Sequence, residues 1–163
     1  MKITKIFLAM ALLFAVACTP DNGGDVNGGN TDTTNWLSEG TLCGEWQLTS
    51  WANNSNSGAQ VYLALNEDST FDLYQRVYQV VWLHYTGTYT LAGNTLSGVY
   101  TDGEAWSKQY TVSYAEEPTR IRLVSTTDSA DKSVYTEVVI PTDIIDAAQP
   151  ATEVRSVAIE RFL

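Results

Sequence analysis

From about residue 43 onward, apolar and polar residues alternate along the chain with a period of two. Trp46 and Leu48, for example, alternate with Gln47 and Thr49. Such alternation is typical of β-strands that bury one face. Eight segments carry this pattern or a closely related strand composition, and they cover residues 46–51, 61–65, 70–79, 80–91, 95–101, 105–114, 119–125 and 133–140.

The connections between these segments are short and rich in turn-forming residues, as in Asn66-Glu67-Asp68-Ser69 and Asp102-Gly103. Parallel strands need long crossovers, for which there is no room, so the sheet is predicted to be antiparallel. Eight such strands either close into a barrel or stack as two sheets. Because a stacked Greek-key arrangement wants a long connection and the gaps at 52–58 and 126–132 are modest, we favour an all-β, eight-stranded antiparallel up-and-down barrel.

The stretch after the eighth strand predicts a short C-terminal helix. Pro141 and acidic residues stand at its front and Pro150 behind it, which indicates a helix over residues 142–148. Residues 153–163 fit a helical face and a strand face equally well, so their structure is left open.

Charge and composition narrow the partners and the domain organisation expected for the 163-residue chain. It carries 19 Asp and Glu against 9 Lys and Arg, a formal net charge of −10. We therefore expect no nucleic-acid partner, because phosphate backbones are repelled. With 44% hydrophobic and 17% charged residues, the chain has enough apolar surface to bury one core.

The first residues resemble a targeting segment. Lys2 and Lys5 precede an apolar run that is too short to span a bilayer comfortably, so residues 1–17 are predicted to be a signal peptide. Ala15-Val16-Ala17-Cys18 resembles a bacterial lipobox, which implies lipidation of Cys18; ordinary cleavage after Ala17 is the alternative. Residues 18–34 then form a Gly- and Asn-rich tether, and residues 35–163 the barrel domain with its helix and tail.

This organisation predicts a location in the cell envelope, lipid-anchored at the outer membrane. If Cys18 carries lipid, Cys43 has no partner for a disulfide, and we expect Cys43 to be a small buried apolar residue rather than a reactive thiol. No C-x-x-C motif occurs and the chain has one His, so no thiolate or imidazole metal cluster and no cofactor are predicted.

Four motifs resemble those of a known family. Gly44-Glu45-Trp46 matches the G-x-W of the first strand in the lipocalin and calycin superfamily. The runs at residues 63–71, 85–89 and 93–98 are similar to the N-x-D-G-T-F, Y-x-G-T-Y and G-N-T-L-S-G motifs of lipocalin-like domains in lipoproteins of Gram-negative gut bacteria. The resemblance covers about residues 43–140, and Ser69 stands where that family usually has Gly.

The resemblance also implies structural roles at the closed end of the barrel. In the superfamily the G-x-W tryptophan packs across the barrel floor beneath an Arg or Lys from a late segment. Gly44 and Trp46 are thus expected to be structural, with Arg155 or Arg161 lying over the indole of Trp46.

The predicted interior is unusually aromatic. A barrel of eight strands is either filled by side chains or holds one small ligand. The functional interpretation is a cup for a hydrophobic or planar ligand, lined by Trp106, Tyr110 and Tyr85 with Leu63 and Leu73 at the walls. The alternative is that these side chains only pack the core. The inward set comprises Trp46, Phe71, Leu73, Leu83, Tyr85, Tyr89, Tyr100, Trp106, Tyr110 and Tyr114.

No pattern of catalytic residues stands out, and we expect the protein not to be an enzyme. His84 is predicted to point outward, opposite in phase to Tyr85, and no nucleophile turn accompanies it. Most acidic residues lie in turns or at outward positions, which favours solvated charge.

Several aromatic residues are predicted to point outward, and they suggest a second hypothesis for the function. They either form a binding face for a partner protein or glycan, or are covered by the tether, the helix or the C-terminal tail. An interaction module with a filled core is therefore the alternative to a ligand carrier. The residues concerned are Trp51, Tyr62, Tyr74, Tyr78, Trp82 and Tyr135.

Overall fold

The computed structural model describes residues 34–52, 58–117, 119–151 and 160–163. The predicted signal peptide, Cys18 and all but the last residue of the predicted tether lie outside the described residues. The elements are β1 Gly44–Trp51, β2 Gln60–Leu65, β3 Thr70–Arg76, β4 Leu83–Ala92, β5 Thr95–Tyr100, β6 Tyr110–Glu116, β7 Thr119–Ser125, β8 Lys132–Glu137, α1 Thr142–Ala147 and β9 Gln149–Pro150.

The first eight strands form one closed barrel. Each strand pairs antiparallel with the next, and β8 pairs antiparallel with β1, so no strand from β1 to β8 is left with an unpaired edge. The predicted eight-stranded up-and-down barrel is confirmed. The two-residue β9, which was not predicted, runs parallel to the start of β4. The short β5–β6 pairing consists of two residue pairs, Thr95 with Thr111 and Leu96 with Tyr110.

Several strand boundaries differ from the predicted ones, because loops occupy positions at which the apolar alternation still continues. The segments predicted at 70–79 and 80–91 end at Arg76 and begin at Leu83, with Tyr78 at a positive φ of 55° in the connection. The segment predicted at 105–114 starts at Tyr110, since residues 101–109 form a loop. The predicted helix is confirmed over Thr142–Ala147.

The up-and-down order gives the barrel two distinct ends. The lower end contains the turn at 66–69 and the β4–β5 hairpin; the upper end contains the loops at 77–82 and 101–109. The segment 35–42 closes the lower end. Leu37 exchanges two backbone hydrogen bonds with Tyr114, at 2.7 and 2.9 Å, and Leu42 is buried in the core.

The interior matches the predicted inward face. All ten predicted inward side chains are buried, and all belong to one core cluster. Alternation therefore identified the interior correctly over most of the barrel, because a strand with one buried face keeps a strict period of two.

Two aromatic residues lie on the opposite face from the predicted one. Between Leu48 and Ser50 the β1–β8 register shifts, so that β1 contains one extra residue. A bulge of this kind inverts the phase of the residues beyond it. Trp51 consequently pairs with Ser133 and shares the inward face with Tyr135, which is fully buried opposite Leu48. The outward predictions for Trp51 and Tyr135 are wrong.

The turn between β2 and β3 has a left-handed residue at the position where the motif that it resembles usually has glycine. Ser69 has a φ of 65°, in the left-handed region that favours Gly. The turn is fixed by hydrogen bonds: the Asn66 amide bonds the Thr70 carbonyl at 2.9 Å, and Asp68 Oδ1 accepts the Thr70 amide at 3.0 Å. Ser69 therefore adopts a strained conformation because its neighbours impose it.

Candidate functional site

Five aromatic rings gather inside the barrel, from its middle to its upper end. Phe71 lies edge-on to Tyr100 at 5.5 Å and to Trp106 at 5.2 Å, measured between ring centroids. Tyr85 meets Tyr100 at 5.7 Å, and Trp106 meets Tyr110 at 6.4 Å, again edge-on. Pairs of this geometry stabilise each other by about 0.5–1.5 kcal/mol beyond the burial of their area.

Two glycines on neighbouring strands make room for these rings. A Cβ at Gly87 of β4 would clash with the backbone oxygen of Val99 and lie 2.6 Å from Cε1 of Phe71, and a Cβ at Gly98 of β5 would lie 2.7 Å from Cδ2 of Trp106. Both distances are too short for real carbon atoms. The glycines of the Y-x-G-T-Y and G-N-T-L-S-G motifs therefore admit large rings into the barrel.

The five predicted ligand-binding residues all lie in this interior. Tyr85, Trp106 and Tyr110 belong to the aromatic group, while Leu63 and Leu73 are fully buried and pair across β2 and β3. Leu73 also pairs with Tyr85. The structure thus brings the predicted set together in one cluster; that these residues bind a ligand stays a prediction.

Two buried hydrogen-bond donors in the interior lack a partner among the described residues. They are the indole Nε1 of Trp106 and the hydroxyl of Tyr135. Burial raises the pKa of Tyr135, and the nearby Ser133 hydroxyl opposes this rise, but the two groups do not meet hydrogen-bond geometry. A buried donor without a partner costs about 1–3 kcal/mol, so the interior favours an additional acceptor atom.

The interior tyrosines carry protonated, uncharged hydroxyl groups at neutral pH. Burial raises the pKa of Tyr110 and of Tyr114 to about 12, and burial raises the pKa of Tyr100 and Tyr85 as well. Burial penalises the phenolate because the charged form loses its water. At neutral pH these side chains can donate hydrogen bonds to a ligand but carry no charge.

The upper end of the barrel, its mouth, is occupied by the segment 160–163. Leu163 is buried in the core cluster, and its backbone oxygen accepts a hydrogen bond of 2.9 Å from Tyr100 Oη. The ring of Phe162 meets Trp51 edge-on at 5.1 Å. The Gln75 side chain, 0% exposed, donates to the Glu160 carbonyl at 2.9 Å and accepts the Phe162 amide at 2.9 Å.

The expectation that Arg161 lies over the Trp46 indole is wrong. Arg161 lies with its guanidinium carbon 4.3 Å from the Tyr100 ring centroid and 5.4 Å from that of Tyr85, at the upper end. Trp46 lies at the opposite end, where its Nε1 donates to the Leu42 carbonyl at 3.0 Å and its ring approaches Gly44. Arg155 lies outside the described residues.

An arginine–tryptophan contact does occur at the lower end, but on a different ring. The guanidinium carbon of Arg122 is 4.4 Å from the ring centroid of Trp36, and that of Arg120 is 5.3 Å away. Both arginines come from β7, so the contact pins the segment 35–42 against the barrel wall.

Most of the predicted outward aromatics are covered. Tyr74 and Trp82 are buried in a second cluster on the outer barrel surface, where Ile144 of α1 packs on them and Tyr62 lies alongside. The alternative of cover by the helix is therefore confirmed for these three rings. Tyr78 remains 80% exposed in the loop at 77–82.

His84 points outward as predicted, but it is half-buried rather than free on the surface. Its Nε2 lies 2.8 Å from Asp72 Oδ1, and its ring stacks on Tyr74 with centroids 4.4 Å apart and planes 4° from parallel. The hydrogen bond with His84 lowers the pKa of the Asp72 carboxyl. This pair holds β3 to β4 on the outer face.

A cavity of about 460 Å³ lies outside the barrel at its lower end. Leu37 and Ala115 contribute its apolar wall, and Glu116, Glu117 and Arg120 its polar one. Because acidic and basic side chains both line this cavity, it does not favour a ligand of one charge. It is also distant from the aromatic interior.

Cys43 differs from its prediction. It is half-buried and disulfide-bonded, and its Sγ lies 3.4 Å from the Tyr89 hydroxyl. Within the described ranges, no group of three or more His, Cys, Asp and Glu side chains is placed to hold a metal ion. No helix in those ranges has the length and apolarity that would let it cross a membrane.

Comparison with known proteins agrees with the geometry. Residues 42–119 match a family model described as a lipocalin-like domain. The barrel is lipocalin-like. No curated protein and no solved structure matches the chain. The family match and the closed eight-stranded barrel together support a lipocalin-like domain, and such a barrel suggests the binding of small ligands in general.

Gln75 and Leu163, which are central to the mouth, do not stand out in the sequence as candidate site residues. Gln75 continues the inward alternation of Phe71 and Leu73, so a polar residue at an apolar position was the available signal. Leu163 carried no comparable signal, because its burial depends on a contact between distant parts of the chain.

Proposed function

We propose that this protein binds a small hydrophobic or planar ligand in the upper half of its barrel. Tyr85, Trp106 and Tyr110 would contact the ligand, with Leu63 and Leu73 as the apolar wall. The supporting observation is the pair of buried donors without partners, Trp106 Nε1 and Tyr135 Oη, inside an aromatic interior. A ligand with an acceptor oxygen or nitrogen would satisfy such a donor while burying its apolar part.

The proposed role is binding without catalysis. The hydrogen bond of His84 goes to Asp72 on the outer face, away from the aromatic interior, and the interior tyrosines are kept protonated by burial. A nucleophilic or general-base mechanism needs a base beside a reactive hydroxyl, and this separation argues against one.

Native mass spectrometry of the full chain purified from its own host tests the proposed function. We expect a retained small molecule that is released by denaturation with organic solvent. The Trp106→Phe variant, which keeps an aromatic ring but loses the indole N–H, should retain less of it. A protein that carries no small molecule, and binds none of a panel of apolar compounds, would contradict the proposal.

We also propose that the protein is anchored in the cell envelope, at the outer membrane, through a lipid on Cys18. The lipobox resemblance and the Gly- and Asn-rich stretch that follows support this. The structure has Cys43 disulfide-bonded. Because a sulfur in a thioether cannot also form a disulfide, the proposed anchor requires that Cys43 does not pair with Cys18, the other cysteine of the sequence.

Mass spectrometry of the amino-terminal peptide without reduction separates these states. Lipidation predicts a peptide that starts at Cys18 with added acyl mass, and a Cys18→Ser variant that leaves the membrane fraction. A peptide that carries no lipid and shifts on reduction would contradict the anchor and leave the barrel proposal intact.

A second candidate function uses the loop at 77–82. Tyr78 and Val80 are 80% and 89% exposed at the upper end, which is typical of a contact surface for a glycan or a partner protein. Glycan-array binding that is present in the natural protein and lost in Tyr78→Ser would favour this candidate. Unchanged array signals for Tyr78→Ser would oppose it.

A further inference from the structure

The mouth of the barrel already contains an apolar side chain with an acceptor oxygen. Leu163 is 1% exposed and belongs to the same cluster as Tyr85, Trp106 and Tyr110. Its backbone oxygen accepts the hydrogen bond of Tyr100 Oη at 2.9 Å. An aliphatic group with one acceptor is the chemistry that the proposed ligand would bring to this place.

A fully buried polar side chain holds this segment. Gln75 donates to the Glu160 carbonyl and accepts the Phe162 amide, both at 2.9 Å, as a neighbouring strand would. A buried amide is stable only where its donor and acceptor are paired. Gln75 therefore makes the mouth a site that favours an occupant over an empty state.

The remaining contacts of the segment are near the surface and easier to break. Arg161 forms ion pairs with Asp102 and, at 3.3 Å, with Glu104, and its guanidinium lies over Tyr100. The Glu104 side chain is 68% exposed and that of Asp102 40%, so solvent screens both ion pairs. The contacts of the segment are thus well defined in geometry, but its ion pairs contribute little to the free energy that keeps it in the mouth.

We propose that the segment 160–163 is a built-in competitor for the ligand, which enters the mouth by displacing Leu163 and taking over the hydrogen bond of Tyr100. This inference rests on the proposed function, since it concerns the same site. A ligand that binds only the displaced form has an apparent affinity reduced by the fraction of molecules in which the segment is released. The ligand class that follows is an aliphatic or aromatic molecule carrying a hydrogen-bond acceptor.

Titration of the full chain with the fluorescent apolar ketone 6-propionyl-2-(dimethylamino)naphthalene, whose carbonyl oxygen is a hydrogen-bond acceptor, tests this competition. Arg161→Ala weakens the hold on the segment without removing apolar volume from the mouth. We expect it to bind the probe about three- to tenfold more tightly than the natural protein. Arg122→Ala, which removes the equivalent contact with Trp36 at the lower end, is the matched control and should bind like the natural protein.

A second variant keeps the test decisive if Arg161→Ala does not fold, as judged by circular dichroism. Leu163→Ala shortens the competing side chain, and it should also bind the probe more tightly. Binding of the probe by the natural protein with no gain in the folded variants would overturn the competition and leave the proposed function standing. Absence of probe binding in every protein would instead overturn the proposed function, and the competition with it.

Discussion

The indole of Trp106 lies against the bare Cα of Gly98, inside the barrel rather than beside it. The loop that carries Trp106 is tied to β5 by the hydrogen bond from the Trp106 amide to the Gly98 carbonyl, 2.9 Å long. On the side away from Gly98, the Trp106 ring contacts the ring of Phe71. A single missing side chain thus decides whether the interior contains an indole.

Gly98→Ala should expel or tilt this indole. The new Cβ would lie 2.7 Å from Cδ2 of Trp106, and overpacking of this kind costs about 1–3 kcal/mol of the free energy of unfolding. Urea denaturation measures the loss, and a red shift of the tryptophan emission reports the exposed ring. Val99→Ala, at the more exposed neighbouring position, is the control and should change little; equal stabilities of the Gly98→Ala and natural proteins would refute the packing argument.

Ser69→Gly should stabilise the barrel. Ser69 holds a φ of 65°, which costs an L-residue more than glycine, so we expect a gain of about 0.5–1 kcal/mol in the free energy of unfolding. Ser69→Ala keeps the unfavourable φ and should show no gain. Equal free energies of unfolding for the glycine and alanine variants, by heat and by urea, would show that the φ of residue 69 costs no stability.

The Asp72–His84 pair should make stability depend on acid. The hydrogen bond with His84 lowers the pKa of Asp72 from 3.8, so this contribution is complete well above 3.8 and is lost as pH falls through the lowered pKa. Asp72→Asn should therefore be less stable than the natural protein at neutral pH and converge with it below the lowered pKa. Asp146→Asn, at an exposed position on α1, should show a constant offset; a constant offset for Asp72→Asn too would contradict the linkage.

The interior tyrosines should make the barrel sensitive to alkali. Their pKa values in the folded state are raised by burial, to about 12 for Tyr110, from an ordinary value of 10.0. The unfolded chain thus ionises first, and stability is complete below 10.0 and lost as pH rises from there toward 12. Absorbance at the phenolate band should rise together with loss of circular dichroism. Early ionisation of all nine tyrosines in a folded barrel would oppose this.

The period-two pattern predicted the strand number, the barrel and its inward rings, since each depends on local alternation and short connections. It failed at Trp51 because a bulge near Ser50 is fixed by pairing with β8 and leaves no mark in the apolar pattern. It left out Leu163 for a related reason. The burial of that residue depends on Gln75 and Tyr100, which are distant in sequence and meet it only after the barrel has closed.

The most direct test of ligand binding in the barrel observes the five tryptophan indole N–H signals by ¹⁵N NMR during titration with 6-propionyl-2-(dimethylamino)naphthalene, which carries an acceptor carbonyl. The indole N–H of Trp106, buried and without a partner among the described residues, should shift strongly. The signals of Trp36 at the lower end and Trp82 under α1 should stay in place. Saturable shifts of Trp36 or Trp82 with an unmoved Trp106 would place the binding outside the barrel and contradict this account.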